Sequence, residues 1–260
     1  MAIFNTVPPL AAGSGIEFDG EVISTRAAPR NLLDNSDFLH PINQREQSLY
    51  TGACYTIDRW RTWETEAEIA LTGNGVAISG GNLTQYLEQT AVEGWKTYTI
   101  ACEESNGAVH IKSGVLSDGV WGDIMHLSVD NIGLPFAQLA AGHTYIWAAV
   151  YEGGYTADTL PGYTSKGIPA ELQACQYFFE RVNVHELASG VPEMYKRLRF
   201  ATKRITPTVS WHESNIGNLA TEDTENWHIT KNDSNGVFGQ LVNPQAMAYW
   251  YGYADVNADI

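Results

Sequence analysis

One loop has the residue types that bind a sugar. Ser117-Asp118-Gly119-Val120-Trp121-Gly122-Asp123 sets a single indole between glycines and two carboxylates. A ring that stands clear of the core stacks on the C–H face of a sugar, and carboxylates beside it accept hydrogen bonds from hydroxyls. Trp121, Asp118 and Asp123 are therefore the leading ligand-binding candidates. Trp211, followed by His212-Glu213 at a strand end, is the next, and Trp95 after Glu93-Gly94 is weaker. The competing reading for every one of these rings is burial, the fate expected of Trp147 inside Tyr145-Ile146-Trp147-Ala148-Ala149-Val150.

Catalytic patterns are sparse. There is no HExxH, GxSxG, phosphate loop or dinucleotide fingerprint. Glycoside hydrolysis needs only two carboxylates about 5–9.5 Å apart, and Glu64/Glu66 or Asp118/Asp123 would supply a pair, but 30 acidic residues make chance pairs abundant. His40, His110, His126, His143, His185, His212 and His228 are scattered, with no close pair. Asp118, Asp123, Asp130 and Asn131 have the oxygen chemistry of a Ca²⁺ site but no loop template. Cys54, Cys102 and Cys175 are an odd number without a CxxC pair, which speaks against both a disulfide framework and a zinc site. The expectation is a non-enzymatic chain with no cofactor and no metal.

Charge narrows the partners. The 15 Lys and Arg against 30 Asp and Glu give −15, which disfavours nucleic acid and anionic lipid. Five of the cations, Lys196, Arg197, Arg199, Lys203 and Arg204, fall within nine residues that hold no acid. The expected use of that stretch is an interface with acidic surface on a neighbouring subunit or with an anionic sugar; a solvated strand face is the alternative. No run approaches the roughly 20 apolar residues that cross a bilayer, and the first residues lack a secretory pattern, so folding in the cytoplasm is expected.

Short alternating segments separated by Gly73-Asn74-Gly75, Gly80-Gly81-Asn82, Ser105-Asn106-Gly107 and Ser117-Asp118-Gly119 predict an all-β domain. Strands are expected at 55–62, 68–71, 76–79, 84–89, 97–103, 109–113, 124–129, 144–151, 198–202, 208–211, 227–230, 236–240 and 246–254. One helix is expected from Ile168-Pro169, with Leu172, Cys175, Phe178/Phe179 and Val182 at helical spacing. Residues 1–30 carry three Pro, a small-residue run and one strand-like piece at 16–23. They read as an extended N-terminal arm ahead of a single domain over 31–260. Along the C-terminal Tyr249-Trp250-Tyr251-Gly252-Tyr253 the three tyrosines share one sheet face.

Several patches carry a resemblance. Asn31-Leu32-Leu33-Asp34-Asn35-Ser36-Asp37-Phe38, then Pro41-Ile42-Asn43-Gln44-Arg45 and Tyr50 to Trp60, resemble the opening of a domain common in bacteriophage and prophage tail-fibre or receptor-binding proteins, of jelly-roll type and similar to carbohydrate-binding modules. Glu171 to Phe178, Phe200 with Lys203-Arg204 and Thr206 to Val209, and Tyr253-Ala254-Asp255 to Ile260 resemble later landmarks of the same family. Residues 105–142 carry no such landmark, and Phe178-Phe179 departs from the family's pattern. The resemblance implies a jelly-roll β-sandwich with one short helix, assembled as a homotrimer in a virion. It further implies attachment to other virion proteins through the arm and binding of host surface carbohydrate. A capsid decoration or baseplate element without a ligand, and a polysaccharide depolymerase, are the alternatives.

Overall fold

In the computed structural model, the backbone is described for residues 16–19, 22–25, 29–88, 91–188, 193–217, 227–233, 236–242 and 248–258, and side chains for 29–88, 91–183, 199–210, 236 and 254–258. The protein is all-β, with one α-helix among the described residues. The chain forms two compact units where the sequence suggests one domain over 31–260: residues 1–39, 51–53 and 62–165 in the first, 40–50, 54–61 and 166–260 in the second. The strand-like piece at 16–23 is a hairpin, β1 (Ile16–Asp19) paired antiparallel with β2 (Val22–Thr25).

Besides this hairpin, the first unit holds two larger sheets among the described residues. The larger runs β4 (Glu68–Thr72), β5 (Gly75–Gly80), β12 (His143–Glu152), β7 (Thr97–Glu104), β8 (Val109–Val115), flanked by β3 (Leu49–Thr51), whose Thr51 belongs to this unit. The smaller runs β6 (Leu83–Tyr86), β11 (Pro135–Leu139), β10 (Met125–Val129), β9 (Val120–Trp121). Pairing is nested: β5 joins β12 and β6 joins β11, so strands far apart in sequence close both sheets. Gly75 makes the first of these closures possible. It has φ +121°, and a Cβ there would lie 2.1 Å from the Tyr145 carbonyl oxygen.

Alternation decides which faces are covered. In the smaller sheet Leu83, Val120, Met125, Leu127, Ala137 and Leu139 are buried, while their neighbours Tyr86, His126, Ser128, Phe136 and Gln138 are half-buried on the other face. Facing the buried row are Tyr98, Ile100, Cys102, Tyr145, Ala148 and Val150 of the larger sheet, and Tyr145 crosses the gap to donate its hydroxyl to the carbonyls of Ile124 and Ala140. A bulge between Tyr145 and Trp147 then switches β12, so that Trp147, Ala149 and Tyr151 point to the opposite face with Ala101. Tyr155, Leu160 and Tyr163 cover that second face. The strap is tied down where Tyr155 donates its N–H to Thr99 Oγ1 and Ser113 Oγ donates to the Tyr155 carbonyl. Both faces of the larger sheet are therefore covered, which is why β12 is apolar at both parities from Tyr145 to Tyr151 and β7 is buried at both from Tyr98 to Cys102.

The motif at 31–38 has a structural role. Asn31 Oδ1 accepts from the N–H of Leu33 and Val150, and its Nδ2 donates to Ser36 Oγ and the Ala148 carbonyl. Backbone bonds from Leu32 to Val150, Phe38 to Ile146 and Ala148 to Ser36 then run this segment along β12.

The second unit contains α1 (Ile168–Gln176) and two three-stranded antiparallel sheets. Their orders are β13 (Phe179–Ala188), β18 (Ala248–Asn257), β15 (Thr208–Gly217), and β14 (Glu193–Arg199), β17 (Gly236–Val242), β16 (Trp227–Asp233). The helix stops six residues short of Val182. Phe178 and Phe179 leave it because the Arg59 guanidinium sits 3.4 Å from the first ring and that of Arg45 3.7 Å from the second. The Phe178 carbonyl accepts from Ala258 and that of Phe179 from Gln44, so β pairing takes over at once. The expected strand at 55–62 is a tight loop instead. Arg59 has φ +73°, the N–H of Thr56 bonds the Trp60 carbonyl, and Ile57 and Trp60 are both fully buried. Asp58, also fully buried, accepts from Arg45 and Gln44, which gives this second family-like patch a structural role too. The strand expected at 198–202 lies earlier, as β14.

Candidate functional site

Trp121 is placed by glycine. At Gly119, φ is +72° and a Cβ would meet the indole Nε1 at 2.4 Å, so the ring lies directly over this residue's backbone. The indole N–H donates to the Asp118 carbonyl at 3.3 Å, and the ring packs on His126 with centroids 4.8 Å apart and an interplanar angle of 32°. More than half of the residue, 58%, remains exposed. A cavity of about 370 Å³ opens beside it at the sandwich edge, floored by Ile100, Gly122 and Met125 and rimmed by His110, Lys112, Trp121 and Asp123.

The structure therefore brings Trp121 and Asp123 into one cavity. Asp118 contributes differently: it ends the 3-10 turn Leu116–Asp118, its carbonyl holds the indole, and its carboxylate accepts from Ser117 Oγ. Trp211 lies in β15 opposite Ala254, with its side chain outside the described residues. The side chains of Lys196, Arg197 and the tyrosines of β18 lie outside them as well. Arg199 is exposed. Lys203 and Arg204 correct the expected basic patch. The Lys203 ammonium is buried, bonded to Glu180 at 2.9 Å and to the Gln176 carbonyl, and Arg204 is half-buried beside the Phe178 ring, so both serve the inside of their unit.

From Trp121 the outer face of the smaller sheet continues as a row of rings. His126 lies 6.4 Å from Phe136, Phe136 lies 5.9 Å from Tyr86, and Tyr86 lies 6.3 Å edge-on from Trp63, which is 48% exposed. A second cavity, about 330 Å³, sits at that far end between Trp63, Thr84, Tyr86, Asp130, Asn131, Phe136 and Gln138. Its polar groups are fixed: Gln138 donates to Thr84 Oγ1, and Tyr86 donates to Asp130, whose other oxygen accepts the N–H groups of Ile132 and Leu134. Burial pushes the His126 imidazole below its usual range, against a hydrogen bond with Gln138 that acts the other way, so the ring in the row is the neutral one at pH 7.

Trp63, Tyr86, His126, Phe136 and Gln138 are absent from the candidates that the sequence suggests. Their signal is the polarity of alternation across β10 and β11, where every second residue is a ring, an amide or a hydroxyl.

The arrangement offers stacking platforms and fixed hydrogen-bonding groups. Glu64 is a poor proton donor: burial raises its carboxyl, but hydrogen bonds from Asn82, Thr62 and the Trp63 N–H outweigh this and hold it below the usual range. The four residues considered for Ca²⁺ are separated, Asp123 in one cavity, Asp130 with Asn131 in the other and Asp118 lining neither, and no metal-holding group of three or more His, Cys, Asp or Glu occurs among the described residues. Among the described residues no helix is long and apolar enough to cross a membrane. No protein-family model, curated protein or solved structure matches this chain.

Proposed function

We propose that the protein is a non-enzymatic, glycan-binding appendage of a phage virion, and that it holds host-surface carbohydrate on the outer face of the smaller sheet. The observation that carries this reading is the row Trp121, His126, Phe136, Tyr86 and Trp63, exposed at its two tryptophans and flanked by the amide and carboxylates of Gln138, Asp123 and Asp130. A sugar has one apolar C–H face and an edge of hydroxyls, and this surface presents the complement of both. The nested pairing of β5 with β12 and β6 with β11 supports a jelly-roll sandwich. The resemblance of the 31–60 patches to tail-fibre proteins supplies the virion setting, the trimer and attachment through residues 1–30.

The test is a bacterial-glycan array probed with the protein and with Trp121→Ala. Binding to a restricted set of glycans, lost in the variant, is the expected result; a blank array overturns the glycan reading. Light scattering reads the assembly, where three times the chain mass of 28.6 kDa is expected and a stable monomer at micromolar concentration contradicts the trimer. Deleting residues 1–30 is expected to abolish incorporation into particles.

A further inference from the structure

We infer that the ligand is an extended chain of several sugar units, held across the strands from Trp121 to Trp63, and not a single terminal sugar. This rests on the glycan reading and adds the ligand's length and direction.

Three observations carry it. First, the two cavities lie at opposite ends of one ring row, the Trp121 cavity by β8 and the β9–β10 turn, the Trp63 cavity by β6, β11 and the Asp130 loop. Second, the four centroid steps joining them are 4.8, 6.4, 5.9 and 6.3 Å, two of them edge-on, so each ring touches the next along the row. Third, exposure is greatest at the ends, with 58% of Trp121 and 48% of Trp63 open, while Tyr86, His126 and Phe136 between them are half-buried. Trp121 and Tyr86 stand on the outer strands of the sheet, three inter-strand gaps of about 4.8 Å apart, about 14 Å in all, and Trp63 is in ring contact with Tyr86 at 6.3 Å. No monosaccharide spans that distance, whereas a linear oligosaccharide does, with its end units on the indoles and its middle along His126, Phe136 and Gln138. Each further unit then adds contact area until the row is filled, and affinity levels off.

The direct test is an equilibrium titration with oligosaccharides of one to six units: β-1,4-linked N-acetylglucosamine, β-1,4-linked glucose, α-1,4-linked galacturonate and the repeat of the best-bound array glycan. The expected result is a dissociation constant at least tenfold lower for four units than for one, little change beyond, and one oligomer per chain. Trp63→Ala and Trp121→Ala each weaken the tetramer tenfold or more with unchanged melting profiles, and Trp63→Phe, which keeps a ring, restores most of the loss. One and six units bound within twofold of each other, or two monosaccharides bound independently per chain, would overturn the inference and leave the glycan reading standing. So would a Trp63→Ala protein that binds the tetramer as the parent does. No binding at any length overturns both.

Discussion

The first unit has two aromatic sheet faces with opposite fates. On the larger sheet, Trp147 stacks on Tyr163 with centroids 4.9 Å apart and planes within 7°, its indole N–H reaches Glu103 at 2.5 Å, and the residue is 8% exposed. On the smaller sheet, Trp121 also stacks on a ring and also donates its N–H, but to a carbonyl at 3.3 Å, and the residue is 58% exposed. The difference between the faces lies in what crosses them. Residues 155–163 cover one with Tyr155, Leu160 and Tyr163, whereas the other carries its own polar groups, Gln138, Thr84 and Asp130, between the rings. A face built to be covered by chain needs shape and apolar area; a face that meets a hydroxylated ligand needs fixed donors and acceptors.

That contrast breaks most sharply at the two tryptophans. Trp147→Ala is expected to cost about 3–5 kcal/mol of folding stability, read by denaturant unfolding, with glycan affinity per folded molecule unchanged. Next in size is Asn31→Ala, which strips two acceptor bonds and two donor bonds from the segment along β12. A loss of about 3 kcal/mol is expected from the buried backbone groups it leaves unpaired. Trp121→Ala is expected to behave in the opposite way, with stability within about 1 kcal/mol of the parent, as for other exposed side chains, and binding lost. Gly119→Ala is milder for binding: the positive-φ backbone costs about 1–3 kcal/mol of stability, while the new methyl displaces the indole and weakens binding severalfold in the same titration.

The smallest effect is one of pH. Glu104 bonds His143 at 2.7 Å and His110 at 2.9 Å, and these bonds hold its carboxyl below the usual value against a smaller opposing contribution from burial. A carboxyl lowered in the folded state stabilises the fold above its unfolded value, near 4.5, and that contribution is lost as pH falls through the lowered value. Thermal melts between pH 7 and 3 are therefore expected to show an acid limb below about 4.5 that is shallower in Glu104→Gln. His110 also rims the Trp121 cavity, so the same variant shows whether that cavity tolerates a loosened wall.

Much of this was legible in the sequence, and the rest was not for identifiable reasons. Short segments of mixed alternation between turn residues locate β4, β5, β7, β8, β10 and β12 closely, because breakers bound each strand. The glycine-bracketed Trp121 stands out because no apolar run surrounds it. The other half of the ring row does not stand out. No strand is expected over 135–139, yet β11 forms there, with Pro135 tolerated as its first residue. Phe136 and Gln138 gain their meaning only from pairing with β6, about fifty residues earlier. Trp63 follows a segment read as a strand that is a loop, and its neighbour Tyr86 is supplied by the fold. The basic stretch shows the converse: five cations in nine residues look like one patch, but Lys203 is drawn inward by Glu180 and Arg204 packs on Phe178. The motifs at 31–38, 41–45 and 50–60 have a physical account of their own, Asn31 along β12 and Asp58 with Arg45 and Gln44.

The most direct test of the central claim is a two-dimensional amide NMR spectrum of the protein titrated with the best-bound array glycan. Shifts are expected to concentrate at residues 63, 84, 86, 119–126 and 136–138, in the smaller sheet and the loop of Trp63 beside it. Shifts confined to the strap at 153–163 and strands β7 and β12, or to the second unit, would contradict it.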